Sequence, residues 1–512
     1  MDFNGNAFAW FVDRHVNEGR GERLAFADPA RSLSYAGLQA ACSRFATALA
    51  RAGVGRERRV VLIMQDTVDF PVAFWGALQA GVVPVPVNTL LPHEQIGYIL
   101  ADSRAEAVVI SAPLLAAVQP VLQAQKDLRL VIVSGAAGPD QIGFEAFLAA
   151  GEPRAEAVTA SPDEVAFWLY SSGSTGAPKG TKHVHGSLRG TYDSYARQVL
   201  GIGPDDVTFS ASKIFHAYGL GNSMTFPMAV GGAAVLLPDR PTPAAVLATM
   251  QRFQPTLFYG APTLYAALLA HPGIGPGAGS ARLRHCISAG EALPEAVGQR
   301  WSQAVGVDIL DGIGSTEMLH IFVSNRPGAV RYGTTGTAVP GYALRIVDEH
   351  DQDVADGESG ELLVRGPTAA EGYWNQRAKT RRTFQGEWTR TGDTYVREAD
   401  GCYRYWGRAD DMFKVSGVWV SPFEVESALV SHPTVLEAAV VGHPDRDGLI
   451  KPKAFVILQD SASHIDPDTL YELLKEHVKE RAGAWKYPRW IEVVDSLPKT
   501  ATGKIQRFLL RA

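Results

Sequence analysis

Short valine-, isoleucine- and leucine-rich runs alternate with longer stretches of helical period through the first three hundred residues. The pattern predicts strands over 59–64, 107–110, 130–133, 166–170, 207–210, 233–237, 256–259, 284–288 and 307–310. Between them it predicts helices over 35–52, 70–80, 93–101, 113–123, 187–199, 243–252 and 294–304. Ser34 precedes the first helix and can cap it. The strands are continuously apolar rather than alternating, which calls for sheets covered by helices on both faces. The longest apolar run, Phe70 to Val87, is interrupted by Pro71, Gln79, Pro84 and Pro86. It reads as a buried helix leading into an extended segment, not as a membrane span.

The texture changes near Arg331. From there to about Gly407, short strands and glycine turns dominate (342–347, 360–365, 401–406), the pattern of a small β-barrel-like unit. From Asp410 a compact α/β pattern returns, with helices at 422–430 and 467–480 and strands at 436–441, 453–457 and 490–494. The expectation is an α/β protein with two domains. A large N-terminal domain covers 1–409, with its β-rich part at about 331–407, and a smaller, mobile C-terminal domain covers 410–512.

Composition narrows the function. The 512 residues are 46% hydrophobic and 20% charged, ordinary values for a globular protein. A net charge of −6 gives no global basic field for nucleic acid, so no nucleic-acid partner is expected. Positive charge does gather late: 475–512 holds nine Lys/Arg against four Asp/Glu. That is either a solvated helix face or a surface that receives phosphates. Cys42, Cys286 and Cys402 are distant and odd in number, which favours a reducing compartment over a disulfide frame. The N-terminus lacks the basic and apolar regions of a signal peptide, so a cytoplasmic protein is expected, without a membrane partner.

The chemistry begins at Tyr170-Ser-Ser-Gly-Ser-Thr-Gly-Ala-Pro-Lys-Gly180, directly after a predicted strand. Its glycines and hydroxyl residues leave backbone N–H groups free to converge on an anion, and Lys179 adds a cation. The order of a Walker A loop is absent. A Gly/Ser-rich loop alone is more often a plain surface connection; the full string with Ala-Pro-Lys-Gly is much more specific. Near the other end stands Leu497-Pro-Lys-Thr-Ala-Thr-Gly-Lys-Ile-Gln-Arg507, with Lys504 after a glycine. A phosphate-gripping loop early and a Gly-flanked lysine late suit a site closed by two separate parts of the chain. That arrangement fits a reaction in which ATP and a carboxylate meet.

Four further strings lie between them: Ser288-Ala-Gly-Glu-Ala-Leu-Pro294, Asp311-Gly-Ile-Gly-Ser-Thr-Glu317, Trp388-Thr-Arg-Thr-Gly-Asp393, and Gly407-Arg-Ala-Asp-Asp-Met-Phe-Lys414 followed by Gly417. Together and in this order, the six resemble the motifs of the adenylate-forming superfamily of acyl-CoA synthetases, adenylation domains and firefly-type luciferases. Within it the chain looks most like benzoate-CoA ligases, through Phe215-His-Ala-Tyr-Gly-Leu-Gly-Asn222, Phe258-Tyr-Gly-Ala-Pro-Thr263 and Gly312-Ile-Gly-Ser-Thr-Glu-Met-Leu-His-Ile-Phe322.

The resemblance implies an ATP-dependent aryl-CoA ligase with Mg2+, using ATP, CoA and a small aromatic carboxylate, and working as a monomer or homodimer. Ser171, Ser172, Gly173, Ser174, Thr175, Gly176 and Lys179 would hold phosphates. Thr316 and Glu317 would serve the α-phosphate and Mg2+, as a carboxylate on a hard cation does; a lone Thr-Glu pair is otherwise a helix start. Ala289, Gly290, Glu291, Asp311, Gly312 and Ile313 would line the nucleotide, and Asp393 and Arg408 would hold the ribose. Ile313 stands where many relatives carry an aromatic residue, so it offers an apolar contact without ring stacking. Lys504 would reach the carboxylate and the bridging phosphate oxygens and offset developing charge. Asp410 matches the hinge about which the C-terminal domain turns, presenting the Lys414–Gly417 region to CoA. Lys486 and Arg489 would meet CoA phosphates and Trp419 its adenine, although a solvated basic face and a partly buried anchor explain all three equally well.

The aryl pocket is expected near His216, Ala217, Tyr218, Gly219, Gly260, Ile313, Gly314, His320 and Ile321, whose small, flat, mostly apolar walls suit one ring. His216 departs from the aromatic hydrocarbon of benzoate ligases; it gates the carboxylate, bonds a ring substituent, or is a wall. His320 is either pocket lining or core. Two other functions compete: loading of a separate carrier protein, and a non-catalytic nucleotide- or CoA-binding regulator.

Overall fold

Ser34 Oγ accepts the Gly37 N–H at 3.2 Å and starts the helix Tyr35–Arg51. This helix lies against Asp69–Gln79, every residue of which is buried. A Cβ on Gly76 would stand 2.9 Å from the Cys42 carbonyl oxygen, so the helix contact requires glycine there. The chain then extends into the buried strand Val83–Pro86, and the long apolar run is thereby a core helix and a strand. No helix among the described residues is long and apolar enough to cross a membrane. The computed structural model describes residues 5–173, 176–408, 411–415, 418–446, 448–462, 464–483, 485–499 and 505–511.

Val83–Pro86, Arg59–Ile63, Ala107–Ser111, Leu130–Ser134 and Ile142–Gly143 form one all-parallel sheet in that order. A second, nine-stranded sheet runs Thr337–Ala338, Ile321–Ser324, Ile309–Gly314, His285–Ser288, Leu257–Gly260, Val207–Ser210, Ala233–Val235, Leu24–Ala27, Ser32–Ser34. Its middle is parallel and its edges antiparallel. The side-by-side carboxyl ends of His285–Ser288 and Ile309–Gly314 bring their terminal residues to one rim, where open α/β sheets bind ligands.

The β-rich part of the N-terminal domain takes the form of a five-stranded antiparallel sheet: Ala343–Val347, Ser359–Arg365, Trp388–Arg397 and Phe384–Gln385, with Tyr403–Arg408 paired to Trp388–Arg397. It is not self-contained. Thr337–Ala338 joins the nine-stranded sheet, and Gly372–Tyr373 joins the hairpin of Val165–Gly173 and Gly176–Val184.

The smaller C-terminal unit packs helices Pro422–Val430 and Pro467–Ala482 on the strands Val435–Pro444, Ile450–Leu458 and Trp490–Val493. Val425, Leu429, Val440, Val456, Leu470 and Leu474 fill the space between them. Ser421 and Asp466 cap the two helices. One predicted helix divides: 187–199 is an α-helix, His185–Thr191, continuing as the π-helix Tyr192–Leu200.

Two buried histidines tie the N-terminal segment down as hydrogen-bond acceptors. His185 Nδ1 accepts the Ala7 N–H at 3.1 Å. His15 Nδ1 accepts from Arg20 Nε at 2.9 Å while its Nε2 donates to the Met228 carbonyl. Burial holds each imidazole at a pKa of about 4 rather than 6.5. A depressed folded pKa means that the unfolded chain binds more protons between these values. Stability is therefore full above pH 6.5 and falls as pH drops towards 4. Chemical denaturation at pH 5 against pH 7.5 is expected to show a loss of about 1–2 kcal/mol per histidine, and His185→Gln is expected to flatten part of that slope.

Candidate active site

The anion loop is the tip of a hairpin. Val165–Gly173 and Gly176–Val184 pair antiparallel, with Ser171 opposite Lys179 and Gly173 opposite Gly176. Ser174 and Thr175 lie outside the described residues. The hairpin is braced at its base: Tyr170 OH donates to Asp102 Oδ2 at 2.6 Å, and Trp374 Nε1 donates to the Asp102 carbonyl at 2.9 Å. A Cβ at Gly180 would lie 3.0 Å from the Tyr170 ring, so this glycine admits the ring across the hairpin. Among the described residues, the buried Ser171 Oγ has no hydrogen-bond partner.

Lys179 projects onto Glu317. Its Nζ donates to Glu317 Oε1 at 3.0 Å and to Tyr373 OH at 2.8 Å, and it lies 4.2 Å from the Tyr373 ring centroid. Tyr373 OH in turn donates to the same Glu317 oxygen at 2.8 Å. Burial alone would raise the Glu317 carboxyl; the Lys179 charge and the two hydrogen bonds outweigh it and hold the group below the usual carboxylate range. Burial, with the Glu317 charge added, pushes the Tyr373 phenol up, so it remains a donor. His183, fully buried and stacked on Phe167, bonds the Thr316 carbonyl at 2.9 Å and fixes the backbone of the Thr-Glu pair.

At the sheet rim Ser288 stands beside Asp311. Asp311 is buried, and burial pushes its carboxyl well up, against hydrogen bonds from Leu293, Ser288 and Gly312 that pull it down. Ala289 is buried, and Gly290, with φ of +98°, turns the chain past the rim where Glu291 follows. Gly312 and Gly314 let the neighbouring strand approach: a Cβ on the first would lie 3.0 Å from Ile321, on the second 2.6 Å from the His320 carbonyl oxygen. Ile313 pairs with Val323. Asp393 and Arg408 face each other on adjacent strands, Nη1 to Oδ1 at 3.1 Å, and the same Nη1 donates to the Thr391 carbonyl at 3.1 Å.

His216 precedes the one-turn helix Ala217–Leu220. Tyr218 OH donates to the Ile287 carbonyl at 3.1 Å, beside the nucleotide rim, and its ring centroid is 5.6 Å from that of His320. His320 is buried against Phe226 and Tyr195, and its Nε2 bonds Asn222 Oδ1 at 3.2 Å. Burial lowers its pKa to about 3, which keeps the ring neutral. Gly219 sits where a Cβ would be 2.0 Å from the Lys213 carbonyl oxygen, and at Gly260 a Cβ would lie 3.2 Å from the Tyr265 ring. Ile321 is buried against Gly312. Tyr218 and His320 thus come together, while Ile321 is a wall of the core behind Gly312.

Lys504, Asp410 and Gly417 lie outside the described residues. The ends of the Lys504 segment are held: Lys499 pairs with Ile505, Gln506 N–H donates to the Pro498 carbonyl at 2.8 Å, and Lys499 Nζ meets Glu437 at 2.6 Å. Arg507 bonds both oxygens of buried Glu426, at 2.9 and 2.7 Å, and reaches Asp411 at 3.4 Å. Lys414 lies opposite Trp419 on a short hairpin, 4.7 Å from its ring, and Trp419 is exposed. Arg489 stacks on Tyr487 at 3.5 Å. Lys486, expected from sequence as a CoA-phosphate contact, is 8% exposed in this structure and holds both oxygens of Glu424 at 2.6 Å.

Tyr373, His183, Glu426 and Asp102 lie outside the residues singled out from sequence. Arg507 falls inside the last motif, and its charge three residues beyond Lys504 is the one signal that could have marked it.

The chain belongs to the AMP-binding enzyme family, which matches residues 12–374; the AMP-binding enzyme C-terminal domain matches 424–504. It is 53% identical to the 4-hydroxybenzoate–CoA/benzoate–CoA ligase of Rhodopseudomonas palustris over 506 residues, 99% of this chain and 94% of the relative. Among solved structures, a benzoate CoA ligase from Burkholderia xenovorans aligns with TM-score 0.92 and 50% identity, covering 99% of this chain and 100% of that one. An anthranilate CoA ligase in complex with anthranoyl-AMP aligns with TM-score 0.94 and 40% identity, covering 99% and 96%.

The Lys486–Glu424 pair predicts that Lys486→Ala costs about 1–3 kcal/mol of stability through the stranded Glu424 carboxylate. KM for CoA is expected to stay within about twofold, since the ammonium is already engaged. Denaturation midpoints and CoA titrations measure the two effects separately; a large KM rise at unchanged stability would restore the direct CoA contact.

Proposed function

We propose that this chain is an ATP-dependent aryl-CoA ligase that activates benzoate or a substituted benzoate as aryl-AMP and transfers it to CoA. The carrying observation is the meeting of Lys179 with Glu317 at 3.0 Å, the phosphate loop with the Thr-Glu motif, in a chain 53% identical over nearly its full length to a benzoate–CoA ligase. Two domains divided near 410 serve the two half-reactions, in a cytoplasmic monomer or homodimer.

In the first, an aryl carboxylate oxygen attacks the α-phosphorus of ATP. The O–P bond to AMP forms as the bond to the bridging oxygen breaks, and pyrophosphate leaves. Ser171, Ser172, Gly173, Ser174, Thr175 and Gly176 cradle the β- and γ-phosphates, and Lys179 leaves Glu317 to join them. Thr316 takes an α-phosphate oxygen. Glu317, anionic though enclosed, fits a hard oxygen-seeking cation, and Mg2+ held there would neutralise phosphate charge. Ala289, Gly290, Glu291 and Ile313 border the adenine, with Asp311 and Gly312 beneath it on the rim. Asp393, steadied by Arg408, accepts the ribose hydroxyls. Lys504 bridges the carboxylate and the phosphate oxygens and stabilises charge that develops between them.

In the second, the C-terminal domain turns about Asp410, and the CoA thiolate attacks the aryl carbonyl. The C–S bond forms, the C–O bond to AMP breaks, and AMP leaves. The hairpin with Lys414, Gly417 and exposed Trp419 lines the CoA path, with Arg489 near the phosphates. The ring lies among Ala217, Tyr218, Gly219, Gly260, Gly314 and His320, with Ile321 behind. His216, at the mouth beside Tyr218, is placed to meet the carboxylate or a ring substituent.

Pyrophosphate release with benzoate and ATP alone, and benzoyl-CoA with AMP once CoA is added, is the expected result; nucleotide binding without pyrophosphate would refute ligase activity. Lys504→Ala is expected to slow aryl-AMP formation on the order of 10²–10³-fold while still converting supplied aryl-AMP to the thioester. Asp410→Pro is expected to do the opposite, sparing adenylation in single turnover and blocking thioester formation.

A further inference from the structure

The Lys179–Glu317 contact has a third member that belongs to no motif read from the sequence. Tyr373 sits on the two-residue strand Gly372–Tyr373, which pairs with Lys179's own strand, Tyr373 opposite Thr181. The segment around it is stitched to both sides of the contact. Towards Glu317, the Ala370 N–H donates to the Glu317 carbonyl at 2.8 Å. Towards the hairpin, Glu371 N–H donates to Lys182 O at 3.0 Å and Trp374 N–H to Gly180 O at 2.8 Å. The Tyr373 ring is buried against Phe384, and its backbone N–H donates to Thr380 Oγ1 at 3.0 Å. The phenol therefore occupies a fixed place between two moving charges.

Its hydroxyl accepts from Lys179 at 2.8 Å and donates to Glu317 Oε1 at 2.8 Å. Lys179 already spends two of its three donors, on Glu317 and on Tyr373 OH. When the ammonium turns towards a phosphate, the enclosed carboxylate loses a counter-charge, and a donor that stays on it lowers the cost. Tyr373 is that donor. Its ring face also offers the ammonium a second resting contact at 4.2 Å from the centroid.

We propose that Tyr373 is a positioning residue for nucleotide binding: its hydroxyl holds Glu317 aimed at the phosphate region while Lys179 transfers from the carboxylate to the nucleotide. This rests on the ATP-dependent reading above. The hydroxyl bonds Lys179 and Glu317, so its effect is expected on Mg·ATP rather than on the acid or CoA.

Tyr373→Phe keeps the ring and removes the bridge. Isothermal titration of Mg·ATP, repeated across Mg2+ concentrations, is expected to show about tenfold weaker binding with a steeper Mg2+ requirement. Steady-state assays are expected to show KM for Mg·ATP raised in step, KM for benzoate and CoA unchanged, and kcat within about threefold. In a cycle with Glu317→Gln, the two substitutions are expected to be non-additive in Mg·ATP affinity. Unchanged nucleotide affinity overturns the proposal. So does an equal rise in all three KM values with a lowered thermal midpoint, which marks a packing role. Wild-type pyrophosphate release tests the ATP reading itself, independently of the variant.

Discussion

An enclosed carboxylate stays ionised in this protein because an ammonium and a phenol are both turned onto one of its oxygens. Glu317 would otherwise be pushed up by burial; Lys179 and Tyr373 reverse that. The arrangement depends on three pieces of chain far apart in sequence: the hairpin, the loop after Ile309–Gly314, and the strand Gly372–Tyr373. Much of the surrounding structure serves to register those pieces. His183 pins the Thr316 carbonyl, Asp102 braces the hairpin through Tyr170 and Trp374, and Thr368 Oγ1 donates to the Met318 carbonyl at 2.7 Å.

The carboxyl-end rim of the nine-stranded sheet and the Tyr218 ring share a support. Tyr218 and Tyr265 both donate to the Ile287 carbonyl, at 3.1 and 2.9 Å, one residue before Ser288. The strand His285–Ser288 thus also orients the Tyr218 ring, so a shift in one is felt in the other. Glycines make this possible by letting strand and loop approach within the space a Cβ would fill, at Gly219, Gly312 and Gly314.

Where a segment's own chemistry settles its conformation, sequence was enough. The strand at 207–210 and the helix at 422–430 have the same bounds in the structure, because one is a short run rich in β-branched and aromatic residues, Val-Thr-Phe-Ser, and the other begins at a serine cap followed by proline. Glycine-rich and proline-containing, the second hairpin strand, Gly176–Val184, has no strand signature of its own; it is extended because Val165–Gly173 and Gly372–Tyr373 pair with it. The roles of Tyr373 and Glu426 and the engagement of Lys486 with Glu424 arise from contacts across many residues, up to 194 between Lys179 and Tyr373. No local pattern encodes such pairings. His320, open between lining and core, is buried with its ring against that of Tyr218.

Arg507 grips Glu426 and reaches Asp411, and Arg511 also pairs with Asp411. The chain just beyond Lys504 is thereby bolted to the residue just beyond position 410. Asp411 and the segment 507–511 are thus neighbours in space although about a hundred residues separate them in sequence. Displacing Asp411 consequently drags residues 507–511 with it through two arginine struts, so the two ends of the C-terminal unit travel as one piece.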